Sequence, residues 1–312
     1  MKVAILLMVH KNLNQINRLL DRLEHPACDI FVHIDKKSDI SEMDFRRMES
    51  NIHVLEERFD VVLFSFQMIK ATLALIDFAK DTDDYDYFML MSGQDYLLKP
   101  IDEIVEELNE NYPKSYIDIT PWHKRNWVYN TFARANCFKI IRGKNNIKAS
   151  HISNRVVRFI YKCIFVLPFK LISYFKISPY KILQKHSVAM YGGAQWWILS
   201  KINIDDILEY YKSMNKKAAK ALEHVGSPDE TFFQTCLMNT AHTEFVTLNQ
   251  WDETKQNCMT FTIFTQQGHP IILKSEKFKL LEESDKWIAR KFDINIDQVI
   301  LDRIDSKLLH VK

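Results

Sequence analysis

The feature that most constrains this chain is a regular alternation of strand and helix patterns over its first hundred residues. Val3–Val9 is a continuous apolar run, which is typical of a strand covered on both faces. Residues 12–23 follow with apolar side chains at helical spacing. Strands alternating with helices predict an α/β fold with a mostly parallel central sheet flanked by helices. The remaining elements predicted in this region are strands at 29–34, 52–55 and 87–91 and helices at 66–79 and 101–108.

The same patterns resume after residue 187, which favours one domain over two. A strand is predicted at 198–200 and a helix at 202–211. Ser227 and Glu230 have the spacing of a capping box, with Pro228 at the first position of a further helix. No linker rich in glycine, serine or proline interrupts the chain. We therefore expect residues 1–312 to form a single domain, with a basic, partly helical elaboration at about 139–187.

Glycine is scarce, with 6 residues among 312. Neither the G-x-G-x-x-G string nor the P-loop string occurs, which excludes the commonest nucleotide-binding loops. Four of the glycines nevertheless lie beside predicted strand ends and helix starts, at Gly93, Gly192, Gly193 and Gly226. Because glycine lets the backbone approach a ligand closely, these positions are candidates for a binding site.

The formal net charge of +2 conceals an uneven distribution of charge. Residues 119–204 contain 15 lysines and arginines and no acidic residue, so the rest of the chain carries a charge of −13. Cations alternate with apolar residues at 155–175, which favours contact with an anionic membrane surface. Charges and a proline interrupt the apolar stretch at 159–175, so it is not expected to span a membrane. Nucleic acid is not expected as a partner, because no recognised binding module is present.

Cysteine usage predicts the compartment. The five cysteines are odd in number, widely spaced and without a C-x-x-C pair. This pattern predicts reduced thiols in a cytoplasmic protein, with neither a disulfide framework nor a zinc site. The N-terminal apolar run lacks a cleavage site of small residues, so we interpret it as a first strand and not as a signal peptide. The expected location is cytoplasmic, with peripheral association at the inner face of the membrane.

Three polar side chains follow directly after predicted strands, namely Asp35, Ser92 and Asp95. Ligands bind at the carboxyl ends of strands in parallel sheets, so these residues are site candidates on position alone. The acidic run at 83–86 precedes a strand instead. We interpret that run as a solvated turn and not as a metal site.

Seven short motifs then occur in a characteristic order. They are MVHK at 8–11, HIDKKS at 33–38, MSGQDY at 91–96, GGAQWW at 192–197, SPDETFFQT at 227–235, HP at 269–270 and ARKFD at 289–293. The series resembles the core-2/I-branching family of glycosyltransferases, which includes β-1,6-N-acetylglucosaminyltransferases and peptide O-xylosyltransferases. The resemblance covers about residues 3–293 and leaves the segment around 142–185 outside. It implies a GT-A-like fold, a UDP-sugar donor and inversion at the anomeric carbon.

The resemblance also implies roles for individual residues. Glu230 matches the catalytic base of the family, and the pair that matches the diphosphate-binding residues is Arg290 and Lys291. The N-acetylglucosaminyl branch works without a metal ion, so no metal cofactor is expected, and N-acetylglucosamine is the expected donor sugar. Xylose is the alternative sugar on the same fold. The uridine pocket is implied at Val9, His10 and Asp35, and we add Ser92 and Asp95 to the donor site.

Elementary chemistry agrees with these roles. Inverting transfer to an acceptor hydroxyl, in a surface glycan or its lipid-linked precursor, needs one carboxylate to take the hydroxyl proton. The departing diphosphate needs either a metal or fixed cations. Arginine can grip a phosphate with two parallel hydrogen bonds, and lysine adds a point charge, so Arg290 and Lys291 fit that need.

Each candidate also has a structural interpretation. Glu230 can pair with Ser227 in the capping box, and Asp35 can cap the following turn. Arg290 and Lys291 can be ordinary cations near a helix end. Asp95 binds either a sugar hydroxyl or only its own loop. Of the adjacent Trp196 and Trp197, one is expected in the core and the other on an acceptor sugar. His10 and His33 are expected to have structural roles and not to act as acid/base groups.

Two considerations limit the assignment. The family usually has Trp-Gly-Gly where this chain reads Leu63-Phe64-Ser65, which changes one side of the expected donor pocket. A function of another class also fits the charge pattern, namely a catalytically silent protein that binds a polyanion or a membrane through its basic segment.

Overall fold

The computed structural model describes residues 1–41, 44–45, 51–62, 65–122, 156, 179–246, 257–266 and 269–311. The strands of these residues are β1 (Val3–Val9), β2 (Cys28–Ile34), β3 (Ile52–Val54), β4 (Tyr87–Ser92), β5 (Asp95–Leu97), β6 (Thr120–Pro121), β7 (Tyr191–Gly192), β8 (Ile198–Ser200), β9 (Thr260–Thr262) and β10 (Ile288–Arg290). The largest sheet has the order β3-β2-β1-β4-β8. Its first four strands are parallel, and β8 pairs antiparallel with β4 at the edge. The predicted α/β fold with a mostly parallel sheet is confirmed.

Helices cover both faces of this sheet. They are α1 (Leu13–Leu23), α2 (Gln67–Thr82), α3 (Ile101–Glu110), α4 (Pro179–Lys185), α5 (Lys201–Ser213), α6 (Lys216–Glu223), α7 (Phe232–Leu237), α8 (Phe278–Glu282) and α9 (Val299–Lys307). Alternate side chains of β1 enter two different cores. Val3, Ile5 and Leu7 pack with α1, α3 and α9, whereas Ala4, Leu6 and Met8 pack with α2, α5 and α6. Because both faces of β1 are buried, its sequence is a continuous apolar run.

A second sheet brings the end of the chain to the carboxyl edge of the first. Its order is β5-β10-β9, with β10 antiparallel to β5 and parallel to β9. Because β5 begins only three residues after β4 ends, β10 is carried to the same edge. The register places Arg290 opposite Asp95, two residues that are far apart in the sequence.

One predicted helix start differs in the structure. A 3-10 turn covers Pro228–Glu230, and α7 begins only at Phe232. The Ser227 side chain makes no capping hydrogen bond, so the capping interaction predicted for Ser227 is not formed. Instead the backbone carbonyl of Ser227 accepts from the backbone N–H of Glu230 at 3.2 Å.

Several sequence predictions concern residues that the structure does not describe. Most of the basic elaboration at 139–187 lies outside the described residues, although α4 and residues 186–187 at its end are described. Cys137 and Cys163 also lie outside them, whereas Cys28, Cys236 and Cys258 are buried and free. Among the helices that can be described, none is both long and apolar enough to cross a membrane.

Candidate active site

The carboxyl edge of the parallel sheet brings three of the predicted site residues together. The N–H of Asp35, after β2, donates to the carbonyl of Val9 at the end of β1 over 2.9 Å. The N–H of Gly93, after β4, donates to the carbonyl of Met8 over 2.9 Å. Val9, Asp35 and Ser92 therefore share one edge, which is where ligands bind in such sheets.

The turn after β4 is organised around Asp95, whose side chain is 1% exposed. One carboxylate oxygen accepts from the N–H of Ser92 at 2.7 Å and the other from its hydroxyl at 3.0 Å. Burial raises the pKa of Asp95, while Arg290 and the hydrogen bonds from Ser92 oppose that shift. Asp95 thus binds its own loop, the structural alternative foreseen for it, and also faces a guanidinium.

Arg290 ends β10 and lies deep in the site, with a side chain that is 11% exposed. Its Nε is 3.6 Å from Asp95 Oδ1. Its Cζ lies 4.0 Å from the centre of the Trp196 ring. Burial lowers the pKa of this guanidinium, and the charge of Asp95 opposes the shift. The interpretation of Arg290 as a cation near a helix end is wrong, because the residue belongs to a strand that pairs with β5.

Other cations gather beside Arg290. Burial, followed by the charges of Arg290 and Lys11, lowers the pKa of Lys291. Desolvation, followed by the charges of Lys291 and Lys11, lowers the pKa of His10. These shifts arise because the positive groups lie close enough for their charges to interact. A concentration of positive charge at the carboxyl edge of a sheet favours an anionic ligand.

Asp35 makes the local contacts of a turn. Its carboxylate accepts from the N–H of Lys37 at 2.8 Å, and the Lys37 ammonium lies 2.9 Å from the same oxygen. The structural interpretation of Asp35 is therefore supported, and uridine binding by this residue stays a prediction. His33 is structural as expected, because its Nε2 accepts from the N–H of Phe59 at 3.0 Å.

The loop between β7 and β8 connects the turn of Glu230 to Arg290. The N–H of Gly193 donates to the backbone carbonyl of Glu230 at 2.9 Å. A Cβ at Gly193 would lie 1.6 Å from the carbonyl oxygen of Asp118, so no larger residue fits this close approach. Three residues further on, the same loop presents the Trp196 ring to Arg290. A second anchor is the Gln234 side chain, which donates to the carbonyl of Ala194 at 2.8 Å.

The two adjacent tryptophans have different neighbours. Trp197 is 2% exposed and packs on Phe233 with ring centres 4.7 Å apart, so it is the core tryptophan. Trp196 is 8% exposed and contacts Arg290. One ring of the pair was expected in the core, so acceptor binding stays a prediction for Trp196 alone.

Two residues organise the site in ways that the sequence did not reveal, although one of them, Asp293, belongs to the ARKFD motif. Gln15 is fully buried, and its amide donates to the carbonyl of Gly93 at 2.9 Å and accepts from the N–H of Ile294 at 2.8 Å. The carboxylate of Asp293 accepts from the Lys11 ammonium at 2.7 Å. These partners are 78 to 282 residues apart in sequence, so no local pattern reveals them.

The described residues contain no group of three or more histidine, cysteine or acidic side chains placed to hold a metal. The acidic run at 83–86 lies at the opposite end of β4 from the site, where Asp86 accepts from the N–H of Lys2 at 2.7 Å. Leu63 and Phe64, at the departure from the family pattern, lie outside the described residues.

Comparisons with known proteins identify the class. The chain belongs to the Core-2/I-branching enzyme family, whose model matches residues 3–270. It is therefore a glycosyltransferase of the family that the motifs resemble. The matched region ends before Arg290 and Lys291, so their role remains a prediction.

The curated relatives include several xylosyltransferases. Xylosyltransferase 1 of Rattus norvegicus is 21% identical over 98% of this chain and 35% of its own length. Xylosyltransferase oxt of Drosophila melanogaster is also 21% identical, over 98% of this chain and 33% of its own. The chain thus spans about a third of the length of these relatives. A solved structure named as a glucose-1-phosphate thymidylyltransferase from Bacillus anthracis is 10% identical to this chain, with a TM-score of 0.36. The match covers 99% of this chain and 96% of that one.

Proposed function

We propose that this chain transfers a sugar from a UDP-sugar to a glycan hydroxyl with inversion, and that Glu230 is the base. The Glu230 carboxylate takes the hydroxyl proton while the acceptor oxygen attacks the anomeric carbon. The bond from that carbon to the diphosphate breaks, and UDP leaves with the electron pair. Arg290 and Lys291 stabilise the negative charge that develops on the diphosphate, and no metal is needed for this step.

The observation that carries this proposal is the convergence of cations at the sheet edge. Arg290 is buried beside the Ser92–Asp95 turn. Burial and the charge of Arg290 lower the pKa of Lys291, and burial and the charge of Lys291 lower the pKa of His10. Fixed positive charge in a partly dry site stabilises a departing diphosphate far more than it would in water. A protein that bound a polyanion only through its basic segment would have no need of this second group of cations.

Two donor sugars are candidates. N-acetylglucosamine follows from the branch of the family that the motifs resemble. Xylose is favoured by the names of the curated relatives, which match 98% of this chain. We keep N-acetylglucosamine as the proposed sugar and xylose as the second candidate.

A panel of UDP-sugars tests both the proposed transferase activity and the identity of the donor sugar. Purified protein is incubated with UDP-N-acetylglucosamine, UDP-xylose, UDP-glucose and UDP-galactose, and release of UDP is measured. We expect faster release from UDP-N-acetylglucosamine than from the others. Preference for UDP-xylose would select the second candidate. Release from none of them, together with no binding of UDP, would contradict a UDP-sugar transferase.

We further propose that the basic region brings the protein to an anionic membrane at its cytoplasmic face. The supporting observation is that residues 119–204 contain 15 lysines and arginines and no acidic residue. Each cation near such a surface contributes about 1 kcal/mol. Co-sedimentation with vesicles of phosphatidylserine, lost in high salt, is expected. Absence of binding at low salt would contradict it.

A further inference from the structure

The environment of the Arg290 guanidinium is unusual for a buried arginine. Its Nε and Nη1 are buried and find no hydrogen-bond partner among the described residues. The nearest carboxylate, Asp95, lies 3.6 Å from Nε, and both of its oxygens already accept hydrogen bonds from Ser92. An unsatisfied buried donor is costly, so such a group persists where a ligand completes it.

An aromatic ring holds the guanidinium in place. Its Cζ lies 4.0 Å from the centre of the Trp196 ring, well within the range of a cation–π interaction. A ring face attracts the positive charge but does not compete as a strong hydrogen-bond acceptor. The contact therefore fixes Arg290 while leaving its N–H groups for another partner, which a carboxylate at hydrogen-bond distance would not do.

The Trp196 ring is itself firmly held. It is 8% exposed, so little of its surface remains for a sugar. The loop that carries Trp196 is anchored before and after the ring. Before it, the side-chain amide of Gln234 donates to the carbonyl of Ala194. After it, the chain enters β8 at Ile198. Gly193, in the same loop, donates to the backbone of Glu230.

We propose that Trp196 is a positioning residue that holds the Arg290 guanidinium for the diphosphate of a nucleoside diphosphate. This inference rests on the proposed function and gives Trp196 a role other than stacking on an acceptor sugar. Trp196 touches neither the diphosphate nor the reacting atoms, and it acts through Arg290. Its loss therefore affects recognition of the diphosphate and leaves recognition of the nucleoside unchanged.

The test compares the dissociation constants of UDP and uridine by titration calorimetry. Trp196→Leu removes the ring face, and we expect it to reduce the preference for UDP over uridine about tenfold. Trp196→Phe keeps a ring face and should retain most of the preference. Trp196→Met replaces Trp196→Leu if the leucine variant does not fold. In an Arg290→Gln background, Trp196→Leu should change the preference no further.

Trp197→Leu is the matched control, because it removes a buried indole at the next position that packs on Phe233. It should lower thermal stability without changing the UDP-to-uridine preference. An unchanged preference in Trp196→Leu, or an equal loss in Trp196→Phe, would overturn the positioning role. If the wild type binds uridine and UDP equally, or binds neither, the proposed function fails, and that outcome is visible before any variant is made.

Discussion

The hydroxyl of Tyr96 donates a 2.7 Å hydrogen bond to the carboxylate of Asp305, which joins β5 to the last helix. Arg18 and Arg22 of α1 contact the same carboxylate at 2.8 and 2.9 Å. Burial alone would raise the pKa of Asp305, but hydrogen bonds from Arg22, Tyr96 and Arg18 lower it. One carboxylate therefore ties three elements together behind the turn of Asp95.

Asp305→Ala should lower the free energy of unfolding by about 3 kcal/mol, since it leaves two partly buried arginines without their shared partner. The measurement is equilibrium denaturation in urea. Asp302→Ala is the control, because Asp302 contacts Arg18 at 2.7 Å but its side chain is 52% exposed. The control should cost less than about 1 kcal/mol. An equal loss in both variants would show that the shared carboxylate of Asp305 is not what stabilises this contact.

Gly193→Ala should abolish UDP release and destabilise the fold by about 3 kcal/mol or more, because its Cβ would meet backbone at 1.6 Å. Gly93→Ala is a milder comparison, since its Cβ would meet the Ile16 side chain at 3.0 Å. Thermal unfolding and UDP release measure both variants. A Gly193→Ala protein as stable as Gly93→Ala would show that the approach to Asp118 is not required.

The fold should lose stability in weak acid because of His33. Burial lowers the pKa of His33 from 6.5 to about 4, and its Nε2 must remain an acceptor for Phe59. The unfolded chain binds this proton more readily, so the stabilisation is present above pH 6.5 and declines as the pH falls towards 4. The shift corresponds to about 3 kcal/mol. Urea denaturation at several pH values should show this decline, and His33→Gln should reduce it. An equal decline in that variant would assign the effect to other groups.

UDP release should continue in EDTA at a rate within about twofold of the untreated rate, because Arg290 and Lys291 supply the positive charge that a metal would otherwise provide. The assay compares EDTA-treated protein with the same sample after addition of Mn²⁺. Loss of activity in EDTA that Mn²⁺ restores would contradict a metal-independent mechanism.

The sequence predicted the framework well because its elements are amphipathic or fully buried. β1 was predicted at its observed bounds, and α1, β4 and α5 within two residues, since hydrophobic periodicity depends only on neighbouring residues. The sequence predicted that an α-helix begins at Pro228, which is wrong, because a 3-10 turn lies there. A capping pattern does not determine whether the first turn continues as an α-helix.

The site was predictable only in part. Motif order identified the family and the residues at strand ends. It could not reveal that Arg290 pairs with β5, that Trp196 lies against its guanidinium, or that Gln15 joins Gly93 to Ile294. These relationships arise from tertiary packing between residues far apart in the chain, and local propensity carries no information about them.

The role proposed for Glu230 is that of the base in a UDP-sugar transferase. The most direct test compares wild type with Glu230→Gln, using UDP release from the donor that the panel selects. We expect a loss of at least about 100-fold in rate, with the dissociation constant for UDP unchanged. Glu244→Gln, a matched change at an exposed glutamate in another 3-10 turn, should behave as wild type. A Glu230→Gln protein that releases UDP at the wild-type rate would show that Glu230 is not the base.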